Sequence, residues 1–379
     1  MAVPLFDTST PLEPLRRELI ERLTAVVNDG RYILGPEVQA FEREFAEYLG
    51  VRHVVGVANG TDALTIALRA AGVGPGDEVI VPSFTFYASA EAIPPTGATP
   101  VFCDVEEDTG NLSLETVQAV LTPRTKAVIA VDLFGNPAPV EEIAEQTGLA
   151  VVEDAAQAAG ATARGRRAGS LGTAATFSFF PSKNLGCFGD GGAIATDDDA
   201  VAESARMLRF HGSRDKITFE EVGYNSRLDE LQAAVLRVLL PHLDNWTAGR
   251  RAAAAAYAQA GLGELVAVPA VAPAVDPAWH LYVVRHADAD RLAAALADVG
   301  VQARGYYRTP VHRQPAMSRW GAGIELPTTD ELARTNLAIP MSPVLSTEQA
   351  LEVVGAIRAA LTPLQAGAGT VAGATSSNG

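Results

Sequence analysis

The chain has 379 residues, 48% of them apolar, and a formal charge of −16 at pH 7. That length calls for two domains rather than one core, and the acidity without any basic run argues against nucleic acid or an anionic membrane as partner, since both reward clustered Lys and Arg. The two cysteines, Cys103 and Cys187, match no metal-ligand spacing and read as reduced, partly buried thiols of a cytoplasmic protein; no metal, membrane span or signal peptide is expected.

Residues 1–13, rich in Pro and Thr, read as an irregular arm. Over 14–28, Leu15, Leu19, Ile20, Leu23, Val26 and Val27 recur at helical spacing, and Asp29-Gly30 is a stop signal. A second amphipathic helix is expected over Pro36–Leu49, with Val38, Phe41, Phe45 and Leu49 on one face. The chain then alternates. Short apolar strands are expected at 53–57, 78–81, 99–102, 127–132 and 150–153, with helices at 61–71, 88–93, 114–120 and 140–146 between them. Two further strands, 176–180 and 192–196, precede helices at 199–210 and 228–240, the second broken by Pro241 and resumed to about residue 260. This alternation predicts an α/β fold whose mostly parallel central sheet is covered by helices on both faces. A low-charge connector at 261–277 leads to a strand at 279–286, a helix at 291–299, a strand at 301–304 and a closing helix at 347–361. The expected organisation is an arm (1–13), a large domain (14–245), a smaller C-terminal α+β domain (246–364) and an uncharged, disordered tail (365–379).

The most informative stretch runs from Ser178 to Gly192. Lys183 sits between Phe179-Phe180-Pro181 and the glycines Gly186, Gly189, Gly191 and Gly192. It is one of three lysines in a chain that otherwise takes its positive charge from arginine, which can neither form an imine nor deprotonate near neutrality. Upstream, an apolar strand ends at Asp154, with Gln157 three residues on. A carboxylate placed there is costly unless it meets a positive group. A buried amine, a partner acid and a close-approach loop are what a pyridoxal phosphate (PLP) enzyme requires: the lysine holds the cofactor as a Schiff base, and the acid faces the pyridine nitrogen. A salt bridge from Asp154 to an arginine such as Arg164, or a helix cap, would use the same acid. Gln157 is placed to donate or accept at the ring hydroxyl. Asn59-Gly60-Thr61-Asp62 follow a strand and open a helix, so they make a phosphate cup or a plain N-cap; the rest of the chain favours the cup.

Four blocks carry a resemblance: Gly60-Thr61-Asp62-Ala63-Leu64, Glu153-Asp154-Ala155-Ala156-Gln157, Ser178-Phe179-Phe180-Pro181-Ser182-Lys183-Asn184 and Gly223-Tyr224-Asn225-Ser226-Arg227-Leu228-Asp229-Glu230. Together they resemble the DegT/StrS family of PLP-dependent nucleotide-sugar aminotransferases, over about 15–361. The resemblance implies a PLP-dependent transferase of fold type I. Lys183 would then be the Schiff-base lysine, Asp154 the partner of the pyridine nitrogen and Gln157 the neighbour of the ring hydroxyl. Gly60, Thr61, Asp62 and Ser178 would hold the phosphate, and Phe86 would lie over the cofactor ring. Asn225 would reach into the partner subunit's site, which implies a homodimer. Arg227, Tyr306, Tyr307 and His312 fall where the family lines its sugar-nucleotide pocket.

The run 180–186 with Gly189-Asp190-Gly191-Gly192 looks like members that aminate carbon 3 of a keto sugar. Carbon-4 members tend to carry His or Tyr where Phe180 sits, and a dehydratase branch replaces the lysine with histidine. The implied reaction moves an amino group from L-glutamate to a nucleotide-linked 3-keto sugar, with a dTDP-3-keto-6-deoxyhexose favoured. Alternative acceptors are a UDP-3-keto-hexosaminuronate (with Arg227 or Arg308 as its acid-binding group), a 4-keto sugar nucleotide or a keto-cyclitol. A non-catalytic regulatory protein of the same fold is the remote alternative.

Overall fold

The computed structural model describes residues 3–368. In chain order the strands are β1 (His53–Val57), β2 (Glu78–Pro82), β3 (Thr99–Cys103), β4 (Thr125–Val131), β5 (Ala150–Asp154), the two-residue β6 (Thr162–Ala163) and β7 (Arg166–Arg167), β8 (Ala174–Ser178), β9 (Gly192–Thr196), β10 (Val275–Asp276), β11 (Tyr282–Arg285) and β12 (Asn336–Ile339). Seven of them form the central sheet, in the order β1-β9-β8-β5-β4-β2-β3. Every neighbouring pair is parallel except those of β9, which runs antiparallel to β1 and β8. The strands are continuous apolar runs because both faces are covered. Successive residues feed opposite cores: Val54 joins Phe41, Phe45 and Phe177, whereas Val55 joins Leu64, Ile66 and Ile129.

Three helices shape the ground around the site: α1 (Arg16–Asp29), α2 (Pro36–Leu49) and α3 (Gly60–Ala70). α3 lies against β8 and β9 on one face of the sheet, while α2 and the helix Glu230–Leu239 pack together on the other. The start of α2 is held by one buried side chain. The Glu230 carboxylate accepts from the backbone N–H groups of Gly35 (2.7 Å), Glu37 (2.9 Å) and Val38 (3.0 Å). These are donors that an α-helix leaves without intrahelical partners. The helix ends at Gly50, whose φ of +75° is a left-handed turn that glycine adopts without a Cβ penalty.

The C-terminal part has its own core, in which Tyr257, Val284, Leu292, Leu337 and Val353 meet around the β11–β12 pair. The division expected at 245/246 falls inside the continuous helix Leu243–Gln259. The arm is irregular up to the short 3-10 turn Thr10–Leu15, yet it is pinned: Val3 pairs with Val301, Gln302 donates back to Val3, and Leu5 is buried beside Met341. Three of the expectations above are corrected by the fold, once the arm is set apart. The 301–304 strand is reduced to two isolated bridges, to Val3 and to Ala338, and the true partner of β11 is β12, which the sequence reading missed together with the helix Pro327–Thr335. Only Tyr282–Arg285 of the expected 279–286 strand is extended ladder; Trp279, with φ of +46°, turns the chain before it. Finally, the last helix runs from Thr347 to Ala368, through the start of the expected tail; residues 369–379 of that tail lie outside the described residues.

Candidate active site

The site forms at the carboxyl ends of β5 and β8, where α/β sheets bind their ligands. β5 delivers Asp154, β8 delivers Ser178, and the loop between β8 and β9 carries Lys183. A cavity of about 440 Å³ is lined by Lys183, Ser178, Gln157, Phe86, Tyr306, Tyr307 and His280, with Phe6 and Asp190 on its rim. Phe6 comes from the arm, so the arm's docking completes the wall.

Lys183 is half-buried, and burial lowers its amine to about 8; the Asp154 carboxylate opposes that shift. A lysine held there keeps a substantial free-base fraction near neutrality, which nucleophilic and proton-transfer work both need. Asp154 is only 6% exposed, and burial raises its carboxyl from the ordinary value. Ser89 Oγ donates to Oδ2 at 2.8 Å and the Ala156 N–H to Oδ1 at 3.3 Å, both opposing that rise. Behind Ser89, Thr85 Oγ1 lies 3.1 Å from Ser89 Oγ, so a chain of two buried hydroxyls ends on the carboxylate. No arginine salt bridge to Asp154 forms among the described residues, which disposes of the Arg164 alternative.

Gln157 resolves a question the sequence left open. Its Oε1 accepts from the Phe134 N–H at 2.7 Å, and its Nε2 donates to Tyr307 Oη at 3.1 Å. The carbonyl end is therefore used, and the amide has one N–H left to donate toward the cavity. At the start of α3 the N-cap reading of the Gly60 block holds, and two amides stay free for the other. Asn59 is the N-cap, accepting from the Asp62 N–H at 2.8 Å, so that amide is occupied. The amides of Gly60 and Thr61 remain without partners among the described residues, at a helix start beside Ser178. Close approach here depends on missing side chains. A Cβ on Gly60 would lie 2.8 Å from Ser178 Cβ, and one on Gly192 would lie 2.4 Å from the Asn59 carbonyl oxygen.

These residues fit PLP: a buried acid needing a cationic partner, an amine of lowered basicity, a donor amide, and a helix N-terminus with free N–H groups for a phosphate. Phe86 is 54% exposed with its ring 5.9 Å from that of Tyr307, as expected of a ring that covers a flat ligand. Tyr306 and Tyr307 line the cavity as anticipated. Seven expected residues do not line it: Asp154 at the end of β5, Gly60, Thr61 and Asp62 at the start of α3, and Asn225, Arg227 and His312. His312 is buried elsewhere, its Nδ1 2.6 Å from Ser83 Oγ and its ring 6.1 Å from that of Phe102, so it belongs to the packing beneath β2 and not to the pocket. Arg227 instead donates to Asn225 Oδ1, and both stand apart from the cavity of their own chain.

Ser89, Phe6 and His280 were missed by the sequence reading. Ser89 follows Phe86 by three residues in Tyr87-Ala88-Ser89-Ala90, where nothing marks it; only the helical turn that aims it at Asp154 gives it a role. His280 stands in Trp279-His280-Leu281-Tyr282, and its histidine inside an apolar run was the available signal.

Comparison with known proteins agrees with this geometry. The model of the DegT/DnrJ/EryC1/StrS aminotransferase family matches residues 14–358. The chain is 48% identical to a dTDP-3-amino-3,4,6-trideoxy-alpha-D-glucose transaminase of Streptomyces venezuelae, over 94% of this chain and 95% of that one. It is 45% identical to a protein of Geobacillus stearothermophilus described as a pleiotropic regulatory protein, over 93% and 97% of the two chains. Among solved structures, DesV of S. venezuelae in complex with a ketimine intermediate superposes with a TM-score of 0.90 at 48% identity, covering 94% of this chain and 98% of that one. With nearly its whole length matched, the chain belongs to the DegT/DnrJ/EryC1/StrS family of PLP-dependent sugar aminotransferases.

Proposed function

We propose that this protein moves the amino group of L-glutamate to a nucleotide-linked 3-keto sugar, a dTDP-3-keto-6-deoxyhexose, giving the 3-amino sugar nucleotide. The observation that carries this reading is the half-buried Lys183 amine on the cavity wall, lowered to about 8 and near enough to the buried Asp154 to feel its charge. PLP, when bound, supplies the electron sink that makes the donor's α-hydrogen acidic. The chain's own residues do the rest. Lys183 would link to the cofactor and, once freed, its Nζ would take and return the proton. Asp154 would face the pyridine nitrogen, held by Ser89 and the Ala156 amide. The Gly60 and Thr61 amides with Ser178 would hold the phosphate, and Gln157 would donate at the ring hydroxyl.

The acceptor is favoured by what the cavity wall contains. Its positive charge comes from Lys183, and among the described residues no arginine of the same chain lines it. Arg308 is instead spent on Asp290 at 2.6 Å and on the Arg334 carbonyl at 2.6 Å. A neutral deoxyhexose suits such a wall, whereas the carboxylate of a uronic acid asks for a bidentate arginine, which in the proposed homodimer Arg227 of the second protomer would have to supply. The relative described as regulatory does not alter the reading, because the lysine, acid and cup that the chemistry needs are all in place here. We further infer a homodimer in the cytoplasm, with Asn225 reaching the phosphate of the partner's site and Arg227 beside it. Among the described residues no helix is long and apolar enough to cross a membrane.

The deciding experiment is the absorbance spectrum of purified protein with PLP, before and after glutamate, followed by separate assays of dTDP-3-keto, UDP-3-keto-uronate and 4-keto sugar acceptors. A lysine-linked band that converts to the amino form of the cofactor supports the donor half-reaction, and turnover with the dTDP-3-keto sugar completes it. A band indifferent to glutamate refutes the donor, and steady-state transamination by Lys183→Ala refutes the lysine.

A further inference from the structure

His280 is a histidine the chemistry above does not use, though it lines the same cavity as Lys183 and is only 5% exposed. Its protonation can be read from its neighbours. Nδ1 lies 3.2 Å from Asn184 Oδ1. The other end of that amide, Asn184 Nδ2, donates to the carbonyls of Ala278 (2.9 Å) and Ala159 (3.5 Å), so Oδ1 is an acceptor and the imidazole proton sits on Nδ1. The charged groups facing the ring are Lys183 and Arg250, both cations, and together with burial they keep the imidazole neutral. Arg250 is itself engaged with the carbonyls of Trp279 (3.0 Å) and His280 (3.4 Å). Phe6 of the arm packs against the ring, with centroids 6.0 Å apart. The remaining nitrogen, Nε2, is a bare lone pair. Among the described residues it makes no hydrogen bond, and unlike Nε2 of His312 it is not sealed from the cavity.

We propose that the Nε2 lone pair of His280 accepts a hydrogen bond from the ammonium form of Lys183, making His280 a positioning residue for the proton transfers that this lysine carries. When Lys183 Nζ takes a proton from the donor's α-carbon it acquires a third N–H and a charge. Asp154 is the carboxylate that favours that charge, but the aminotransferase reading commits Asp154 to the pyridine nitrogen. A neutral, tautomer-locked acceptor in the same cavity then steadies the ammonium without holding the proton itself, so the proton returns to the reacting carbon. The inference rests on the proposed function.

The test separates the two ring nitrogens. In His280→Asn the amide replaces Nδ1 and keeps the link to Asn184, while the acceptor at Nε2 is lost; in His280→Gln the reverse holds. Each variant is followed through the glutamate half-reaction and its reverse with 2-oxoglutarate by stopped-flow absorbance. The PLP dissociation constant and the pH dependence of labelling of Lys183 by an amine-reactive probe in the apo-protein are measured alongside. The expected result is that His280→Asn binds PLP as the wild type does but is slowed at least about 10-fold in both directions, with its labelling midpoint moved to lower pH. His280→Gln retains more of the rate. A glutamate half-reaction within twofold of wild type in His280→Asn overturns the proposal. So does a His280→Gln slower than His280→Asn, because the strap to Asn184 would then be the whole role. Wild-type protein without a lysine-linked band would indict the aminotransferase reading instead, and the apo-protein labelling would still decide on His280.

Discussion

Removing the Ser89 hydroxyl is the sharpest test of how the chain prepares Asp154. In Ser89→Ala the carboxylate loses its 2.8 Å donor and Thr85 Oγ1 loses its neighbour at 3.1 Å, while the backbone amide of Ala156 remains at 3.3 Å. A hydrogen bond to a charged group contributes about 1.5–3 kcal/mol. If that stabilisation is expressed while Asp154 faces a pyridinium, both half-reactions slow by about 10- to 100-fold. The pH dependence carries a sign as well. Burial raises the Asp154 carboxyl and the Ser89 hydroxyl opposes that rise, so deleting the hydroxyl lets burial prevail. The carboxylate is then lost at higher pH than in the wild type, and the acid limb of the rate profile moves up. The assay is single-turnover conversion with glutamate across pH, with the PLP dissociation constant as a second readout. Thr85→Val should show a smaller effect of the same sign, because it reaches Asp154 only through Ser89. A folded Ser89→Ala with wild-type rates and an unmoved acid limb would refute the relay.

Other consequences are independent of that relay. Glu230→Ala strips the partner from three N–H groups at the start of α2, and, with water recovering part of the loss, it should lower stability by about 3 kcal/mol in urea unfolding; an unchanged midpoint would refute the cap. In the apo-protein, labelling of Lys183 by an amine-reactive probe should rise through a midpoint near 8, and Asp154→Asn should move it lower because the carboxylate favours the ammonium. Cys103 and Cys187, both pushed up to about 12 by burial, should resist a thiol reagent at pH 8 in the native state and react once the protein is unfolded. Gly192→Ala would place a Cβ 2.4 Å from the Asn59 carbonyl and 2.9 Å from the Gly60 nitrogen, displacing the phosphate cup. Overpacking of that kind costs about 1–3 kcal/mol, so PLP should bind roughly 10-fold more weakly in a fluorescence titration.

What could be read in advance follows the periodicity of the chain. The large domain's strands and helices were legible because buried parallel strands are continuous apolar runs, and helices such as Pro36–Leu49 carry both their stripe and their stop glycine. The small domain was harder: β12 is four residues, Asn336-Leu337-Ala338-Ile339, with no turn signal to set it off from the helix before it. The pinning of the arm was not legible, because Val3 and Leu5 gain their pairing from residues about 300 positions away, Val301 and Gln302, which local pattern cannot show. Lys183 and Asp154 were legible by chemistry, each being a residue type that its apolar surroundings reject without a purpose. Ser89 was not, since a serine among alanines becomes a relay only when a turn of helix meets a strand end. His312 was placed at the sugar pocket by resemblance alone, and the fold turns it inward onto Ser83.

The acids at the carboxyl ends of β4 and β5 show how neighbouring residues of one kind divide structural and chemical work. Glu153 and Asp154 are adjacent on β5, so their side chains leave opposite faces. Glu153 turns to the loop after β7, where its oxygens accept from the Gly169 N–H at 2.6 Å and the Leu171 N–H at 3.0 Å. Asp132, just past the end of β4, accepts from the Ala138 N–H at 2.8 Å, and its second oxygen is buried without a partner. Burial and the nearby Glu153 charge push Asp132 well above the ordinary carboxylate range. Glu153 spends both oxygens, and Asp132 one of its own, on turning the chain away from strand ends, and neither lines the cavity. Asp154 is stabilised by a hydroxyl, one long amide bond and the nearby Lys183 charge, and among the described residues no guanidinium pairs with it. A buried carboxylate so placed gains from a further cation, and under the proposed function the protonated pyridine ring would be that cation.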